Sequence, residues 1–252
     1  MEQDLGNDAI INILSIVSHL CLSVIPEYQL HTADALSSYL ISHQSDSLRE
    51  LHLDSTQLNG SDASFLMHAM ARDGFPYRNL HLDISQNPLG KDHRKLAIAI
   101  AEGLAPTSLT MRMIEYDSEA LFRDLIVALS KNRSIKYLDI SRHSLPCDAT
   151  EQTCEALAKM FEKNDYLEYL DISGEDSRLE MSRLGVGINQ ALHGLKSNRS
   201  LRILRINCGL PPSQMPNCLI DKSRSKIRVS GRRHISGCAK NEHNPTRYPY
   251  RR

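Results

Sequence analysis

Apolar residues recur along the chain in two alternating patterns, one typical of helices and the other of strands. In the helical pattern, apolar residues lie three and four positions apart, as in ADALSSYLIS, HRKLAIAIAEGL and EALFRDLIVALS. In the strand pattern every second residue is apolar, as in YLDI and ILRI. The alternation of the two patterns predicts an α/β protein in which helices connect parallel strands.

One motif occurs three times, as LSKNRSIKYLDI, FEKNDYLEYLDI and LKSNRSLRILRI, which begin at residues 129, 161 and 195. In each copy an Asn follows the helical pattern three residues after its last apolar position. These residues are Asn132, Asn164 and Asn198. We expect the Asn to end the helix in the left-handed conformation, which Asn tolerates. Recurrence at a period near thirty residues is typical of a solenoid.

The segment SLRELHLDSTQL follows the leucine-rich repeat template. Its two core strand positions are Leu51 and Leu53, and the corresponding pairs elsewhere are Ser23 and Ile25, Leu82 and Ile84, Met111 and Met113, Leu138 and Ile140, Leu170 and Ile172, and Leu204 and Ile206. Repeats of this length leave room for a helix of about three turns between strands. The prediction is therefore a leucine-rich repeat solenoid, a horseshoe of the ribonuclease-inhibitor type, with about seven parallel strands inside and helices outside.

The predicted array spans residues 20–206. Residues 1–19 are expected to form the helix of an incomplete preceding repeat. The apolar run at 9–25 has acidic residues before it and is interrupted by Asn12 and His19, so a buried helix leading into a strand is favoured over a signal or membrane segment.

Charge divides the chain into an acidic body and a basic tail. Residues 207–252 contain 10 Lys and Arg against 2 Asp and Glu, which leaves 20 against 28 of the chain's 30 and 30 for residues 1–206. We expect the tail to be disordered because it lacks periodic apolar positions. A non-native tail is favoured over one that binds nucleic acid or an acidic membrane.

Cysteine usage and motifs argue against a cofactor-dependent enzyme. The six Cys include no CxxC pair, which favours a reducing compartment. No catalytic or nucleotide-binding motif occurs, so no enzyme activity, cofactor or small-molecule substrate is expected. A zinc site is not expected either, because the spacing of its candidate ligands fits no paired pattern; these are Cys218, His234, Cys238 and His243.

The strand residues that point away from the core are the candidates for binding a partner. The position between the two core residues is occupied by Val24, His52, Asp83, Arg112, Asp139, Asp171 and Arg205. The neighbouring position is occupied by Leu22, Glu50, His81, Thr110, Tyr137, Tyr169 and Ile203. We expect Tyr137, Tyr169, Asp139 and Asp171 to form an aromatic and acidic patch that binds a basic protein partner. An ordinary solvated strand face is the alternative.

The buried Asn that usually follows each strand in such repeats is present only at Asn87. The other predicted positions hold Tyr28, Thr56, Tyr116, His143 and Glu175. This irregularity indicates a diverged repeat family.

The segments LHLDISQNPLG (80–90) and FRDLIVALSKNRSIKYLDIS (122–141) resemble the later repeats of the CARMIL proteins, scaffolds that regulate actin capping protein. The resemblance covers roughly residues 31–206. It implies a protein-interaction platform in actin cytoskeleton regulation, in the cytoplasm, with peripheral attachment to the plasma membrane in the full-length protein as a further expectation. The sequence shows no match to the pleckstrin-homology domain, dimerisation segment or capping-protein motif of that family, so we do not expect it to bind capping protein as those proteins do.

A second resemblance leads to another class of function. NPLGKDHRKLAIAIAEGL (87–104) is similar to the long repeats of Ran GTPase-activating proteins. Those proteins activate an enzyme and have an acidic C-terminal tail, whereas this tail is basic. The non-enzymatic scaffold therefore ranks first.

Overall fold

The computed structural model describes residues 18–21, 36–71, 78–90, 92–147, 149–173, 191–206 and 218–221. Strands and helices alternate along most of the chain. The elements are β1 (His19–Cys21), β2 (Glu50–His52), α1 (Gly60–Met70), β3 (His81–Asp83), α2 (His93–Ala101), β4 (Ser108–Thr110), α3 (Glu119–Lys131), β5 (Tyr137–Asp139), α4 (Glu151–Lys163), β6 (Tyr169–Asp171), β7 (Ile203–Ile206) and β8 (Cys218–Asp221). Residues 36–41 are also helical, and 3-10 turns occupy His43–Ser47 and His193–Lys196.

The strands form one open sheet in the order in which they occur along the chain, and β1 to β7 are parallel. The central position of each parallel strand is a Leu, and these seven residues align across the sheet. They are Leu20, Leu51, Leu82, Leu109, Leu138, Leu170 and Leu204. The prediction of an α/β protein with seven parallel strands and connecting helices is confirmed.

The hydrophobic core lies between the sheet and the helices. The central Leu residues belong to the same buried cluster as the inward faces of the helices, including Met67, Ile100, Leu129 and Phe161. Helices α1 to α4 pack in chain order, each against the next. The described repeats around α1 to α4 therefore each contribute one strand face and one helix face to a continuous core, and no helix or strand among the described residues covers the opposite face of the sheet, which we call the open face.

The register differs from the predicted one in two repeats. Leu20 pairs with Leu51, where Ser23 had been expected, and Leu109 aligns with Leu82 and Leu138, where Met111 had been expected. The central Leu residues are consequently 31, 31, 27, 29, 32 and 34 positions apart. Leu109, Met111 and Met113 alternate regularly, so alternation alone cannot choose the register.

The turn after each strand explains why Met113 is not a core residue. The residue four positions after the central Leu has a left-handed conformation in four successive repeats: Ser55 (φ 57°), Gln86 (φ 56°), Met113 (φ 57°) and Arg142 (φ 58°). The chain changes direction at these residues, and the Met113 side chain is 41% exposed. Met111 takes the second core position of its repeat and is buried.

The Asn residues that end the helices are not left-handed, contrary to the prediction. Asn132 (φ −65°, ψ 139°) and Asn164 (φ −79°, ψ 112°) are extended. Their side chains instead join neighbouring repeats: Asn132 Nδ2 donates to the Ile100 carbonyl at 2.6 Å, and Asn164 Nδ2 donates to the Leu129 carbonyl at 2.7 Å. Asn suits this position because its side-chain N–H donates to the preceding repeat, while its side-chain oxygen accepts from the turn that follows the helix.

Asn87 is buried at the strand-to-helix turn and joins two repeats, as expected for this position. Its Nδ2 donates to the Leu53 carbonyl at 2.8 Å, and its Oδ1 accepts from the backbone N–H groups of Thr56 and Leu58 at 3.0 Å. In the later repeats Tyr116 and His143 are buried instead. The strand-to-helix turn is therefore filled by a hydrogen-bonding Asn in one repeat and by an aromatic Tyr or His ring in the two that follow.

Strand β8 was not predicted, since the whole of 207–252 was expected to be disordered. It pairs antiparallel with β7, with Ile220 opposite Leu204. Its four residues end the parallel series by covering the outer edge of β7. The rest of the tail lies outside the described residues. So do residues 1–17 of the helix expected at 1–19, the predicted core positions Ser23 and Ile25, and the positions Leu22, Val24, Tyr28 and Glu175. The end of that predicted helix is wrong, because His19 begins strand β1.

Candidate interaction surface on the open face of the sheet

Two rows of side chains cover the open face of the parallel sheet, one on each side of the central Leu. The first row consists of His19, Glu50, His81, Ser108, Tyr137, Tyr169 and Ile203. The second row consists of Cys21, His52, Asp83, Thr110, Asp139, Asp171 and Arg205. Neighbours within a row belong to hydrogen-bonded strands, about 4.8 Å apart.

Seven of the eight predicted partner-binding residues lie in these rows: His52, Asp83, Tyr137, Asp139, Tyr169, Asp171 and Arg205. The strand position predicted for Arg112 is wrong, because Thr110 occupies it. The Arg112 side chain nevertheless reaches the second row. Its Nη2 lies 3.6 Å from Asp83 Oδ2 and its Nε lies 3.9 Å from Asp139 Oδ2. One guanidinium therefore lies between two carboxylates, above the short side chain of Thr110.

The three Asp residues of the second row stabilise the ends of their strands. Each carboxylate accepts a hydrogen bond from the backbone N–H two residues later: Asp83 from Ser85 at 2.9 Å, Asp139 from Ser141 at 2.9 Å, and Asp171 from Ser173 at 3.0 Å. The sequence LDIS occurs at all three places and is the signal that the sequence analysis missed. Hydrogen-bonding Asp side chains favour such turns.

The same hydrogen bonds leave little carboxylate surface for a partner. The Asp83, Asp139 and Asp171 side chains are only 9%, 15% and 7% exposed. Burial raises the pKa of Asp139, although hydrogen bonds from Ser141 oppose the change. The predicted patch is therefore less acidic on its surface than its composition suggests.

Tyr137 and Tyr169 are aligned neighbours on β5 and β6, as predicted. Tyr137 is 49% exposed, whereas Tyr169 is half-buried. Tyr169 donates from its hydroxyl to Asp171 Oδ2 at 3.4 Å, and the Arg205 guanidinium lies 5.6 Å from the centre of its ring. Arg205 also contacts Asp171 at 3.6 Å. We call the group formed by Tyr137, Asp139, Tyr169, Asp171, Arg112 and Arg205 the tyrosine patch.

A second group lies on the same face, over β1 to β3. His19, Glu50, His52, His81 and Asp83 make up this histidine cluster. Glu50 lies 3.5 Å from His19 Nε2 and 3.4 Å from His52 Nε2, and the rings of His52 and His81 are 5.6 Å apart. Burial lowers the pKa of His81, and the Asp83 carboxylate opposes that change.

The sequence contained the members of the histidine cluster, but their proximity depends on the pairing of β1 with β2 and β2 with β3. The predicted first-repeat register placed Leu22 beside Glu50, where the structure places His19. The four residues considered as zinc ligands in the sequence analysis all lie in the C-terminal tail, and of these only Cys218 belongs to the described residues. Spacing along the chain does not reveal side chains that only the pairing of strands brings together.

The helices that the structure describes include none with the length and apolar character needed to cross a bilayer. No protein-family model matches the chain, and no curated protein matches it significantly. The side chains on the open face of the sheet are therefore the basis for a proposal about function.

Proposed function

We propose that this protein is a non-enzymatic interaction scaffold that binds a protein partner through the tyrosine patch. In this proposal the sheet and helices form a leucine-rich repeat horseshoe of the ribonuclease-inhibitor type, in which β1 to β7 line the concave side. The repeated pairing of central Leu residues and the side-chain amide bridges between repeats support that architecture.

The exposure of Tyr137 is the observation that carries the proposal. A strand-face Tyr that is 49% exposed, beside a second Tyr on the next strand, leaves a broad aromatic surface in contact with solvent. Tyr and Arg are the residues that most often dominate binding energy in protein interfaces. The side chains of Arg112 and Arg205, which are 45% and 55% exposed, flank this surface with their guanidinium groups.

The arrangement also changes the expected character of the partner. A basic partner was expected from an acidic patch, but Asp139 and Asp171 are largely covered by their own hydrogen bonds and by Arg. The groups that a partner meets first are the Tyr137 ring and the two guanidinium groups. These favour a partner surface with an apolar anchor and carboxylate groups, because guanidinium pairs well with carboxylate.

The partner is expected among actin-regulatory proteins of the cytoplasm, and this part of the proposal rests on the resemblance of residues 80–90 and 122–141 to CARMIL repeats. Quantitative affinity purification from a cytoskeletal extract would test it. Enrichment of actin-regulatory proteins on the wild-type chain supports the proposal, and their absence from the enriched set contradicts it.

A substitution test locates the binding surface. Tyr137→Ala combined with Tyr169→Ala should weaken binding of the recovered partner by about 2 kcal/mol or more, roughly 30-fold. The matched control is Ile98→Ala with Val127→Ala, which removes two exposed apolar side chains from the helices. Binding that survives the Tyr changes and is lost in the control would move the interface to the helices. Circular dichroism should show that both double variants remain folded.

A further inference from the structure

We propose that His52, His81 and Asp83 form a binding site for a divalent transition-metal ion, with Zn²⁺ as the best-fitting ion. The site lies on the open face of the sheet, on the adjacent strands β2 and β3. It needs no protein partner, and the one residue of the tyrosine patch that contacts it is Arg112, which lies 3.6 Å from Asp83.

The distances between the three side chains are the first observation that supports a metal site. One ring nitrogen of each histidine and one carboxylate oxygen of Asp83 all lie within 4.8 Å of one another. His52 Nδ1 is 4.0 Å from Asp83 Oδ2, so these two atoms face each other across neighbouring strands. Ligands at about 2.0 to 2.2 Å from a common Zn²⁺ need a closer approach, which rotation of the partly exposed His52 ring can supply.

The hydrogen-bond partners of the two histidine rings are the second observation that supports a metal site. His52 presents its other nitrogen, Nε2, to Glu50 Oε2 at 3.4 Å, and His81 Nδ1 lies 2.7 Å from Ser108 Oγ. Histidines that bind metals usually donate their other ring N–H to a carboxylate or another oxygen, which fixes the tautomer and the ring orientation. Both rings have such a partner here.

The ligand set determines the class of metal. Two imidazole nitrogens and one carboxylate suit Zn²⁺ and other late first-row metals, whereas Ca²⁺ and Mg²⁺ prefer oxygen ligands. Three protein ligands would leave coordination positions open to water or to a group supplied from outside.

Arg112 is the built-in competitor for this site. Its Nη2 lies 3.6 Å from Asp83 Oδ2, the oxygen that faces His52. Asp83 Oδ1 already accepts from the Ser85 N–H, so a metal must share or take the oxygen that Arg112 contacts. The Arg112 side chain is 45% exposed and can turn toward solvent. Removing its charge should therefore strengthen metal binding.

Titration of the metal-free full chain with Co²⁺ and then Zn²⁺ tests the proposal. Co²⁺ in a site with nitrogen ligands and low coordination number absorbs visible light much more strongly than the six-coordinate hydrated ion, and Zn²⁺ should displace it. Isothermal titration calorimetry with Zn²⁺ gives the affinity and the stoichiometry. The expected result is one site that is tighter than the rest.

The variants make the test specific. His52→Ala and His81→Ala should abolish the Co²⁺ absorption, and Glu50→Gln should weaken Zn²⁺ binding roughly 10-fold or more. Arg112→Gln should strengthen it severalfold. His43→Ala is the matched control, because the His43 side chain is 96% exposed and lies outside the cluster. His43→Ala should leave both the Co²⁺ absorption and the Zn²⁺ affinity unchanged.

Two outcomes would overturn the proposal. One is Zn²⁺ binding in His52→Ala with His81→Ala that matches the wild type in affinity and stoichiometry. The other is Co²⁺ bound to the wild type with only the weak spectrum of a six-coordinate hydrated ion. Asp83→Asn keeps the size of the side chain and its hydrogen bond from Ser85, so its loss of Co²⁺ absorption in a folded protein distinguishes ligand loss from misfolding. The two proposals can fail separately. If the Tyr137→Ala, Tyr169→Ala variant still binds the partner while the wild type binds Zn²⁺ as expected, partner binding through the tyrosine patch is contradicted and the metal site is not.

Discussion

Asn164 donates a hydrogen bond from Nδ2 to the backbone carbonyl of Leu129, one repeat earlier in the chain, at 2.7 Å. The same side chain accepts from the N–H groups of Tyr166 and Leu167 at 2.9 and 2.8 Å. Asn132 and Asn198 make corresponding contacts with Ile100 and Phe161. A row of side-chain amides thus joins the corners between helix and strand in successive repeats.

Asn164→Ala should destabilise the protein by about 2 to 4 kcal/mol. The change removes the side-chain acceptor of two backbone N–H groups and one of the two donors to the Leu129 carbonyl, in a position that is 2% exposed, and a buried group that loses its hydrogen bond costs about 1 to 3 kcal/mol. Urea unfolding measures the difference. Asp165→Ala is the control, since its side chain is 76% exposed and its ion pair with Arg133 should contribute less than about 1 kcal/mol. Equal effects of the two changes would contradict the amide bridge.

Glu119 stabilises the start of the following helix, α4. Its Oε1 accepts from the Thr150 N–H at 3.0 Å, from the Thr150 hydroxyl at 2.7 Å and from the Thr153 hydroxyl, and Arg123 lies 3.0 Å from Oε2. Burial alone would raise the pKa of Glu119, but these hydrogen bonds and the Arg123 charge lower it below its ordinary value of 4.5.

Glu119→Gln should therefore lower stability at neutral pH and remove part of the acid sensitivity. Because the folded state holds the pKa of Glu119 below 4.5, its contribution is fully present above that pH and is lost as the pH falls through the depressed pKa. Chemical unfolding at several pH values would show the wild type and the variant converging in acid. Glu155→Gln, at an exposed position of α4, should follow the wild-type pH profile. A constant difference between wild type and Glu119→Gln at every pH would contradict the linkage.

His143 should make the protein less stable in mild acid. It is buried, its ring stacks on Phe122 at 4.7 Å, and burial lowers its pKa from 6.5 to about 4. Between these values the unfolded chain binds more protons than the folded one, so stability falls as the pH drops. A difference of this size corresponds to about 3 kcal/mol between pH 6.5 and pH 4.

His143→Gln is the variant that tests this slope. It should lower stability at neutral pH through lost packing, yet flatten the decrease between pH 6.5 and 4. His43→Gln changes an exposed ring and should keep the wild-type slope. An undiminished slope in His143→Gln would assign the acid sensitivity to other groups, such as His93, whose pKa burial also lowers.

Gly60→Ala should destabilise the packing between the starts of α1 and α2. A Cβ at Gly60 would lie 2.7 Å from the carbonyl carbon and oxygen of Asp92, so one helix would have to shift. Crowding of this kind costs about 1 to 3 kcal/mol. Ser61→Ala, at the next position, should have a small effect because Ser61 Oγ accepts an exposed hydrogen bond from Lys95 Nζ at 3.1 Å. A thermal melt unchanged by Gly60→Ala would show that the helices can separate freely.

The sequence alone predicted the repeated strand and helix, because burial of one face imposes a period of two on a strand and about 3.6 on a helix. Leu51, Leu82, Leu138 and the inward residues of α3 follow these periods without ambiguity. Tyr137 and Tyr169 could also be placed side by side, since both immediately precede the central Leu of a YLDI segment.

The tertiary structure decided what the periods leave open. Alternation in LTMRMI is equally compatible with two registers, and pairing with β3 and β5 selected Leu109 as the central residue. The extended Asn132 gains its partner, the Ile100 carbonyl, only when repeats stack, so helix-end propensity gave the wrong conformation. Covered Asp carboxylates and the proximity of His52 to His81 likewise result from contacts between strands, which are distant along the chain but neighbours in the folded sheet.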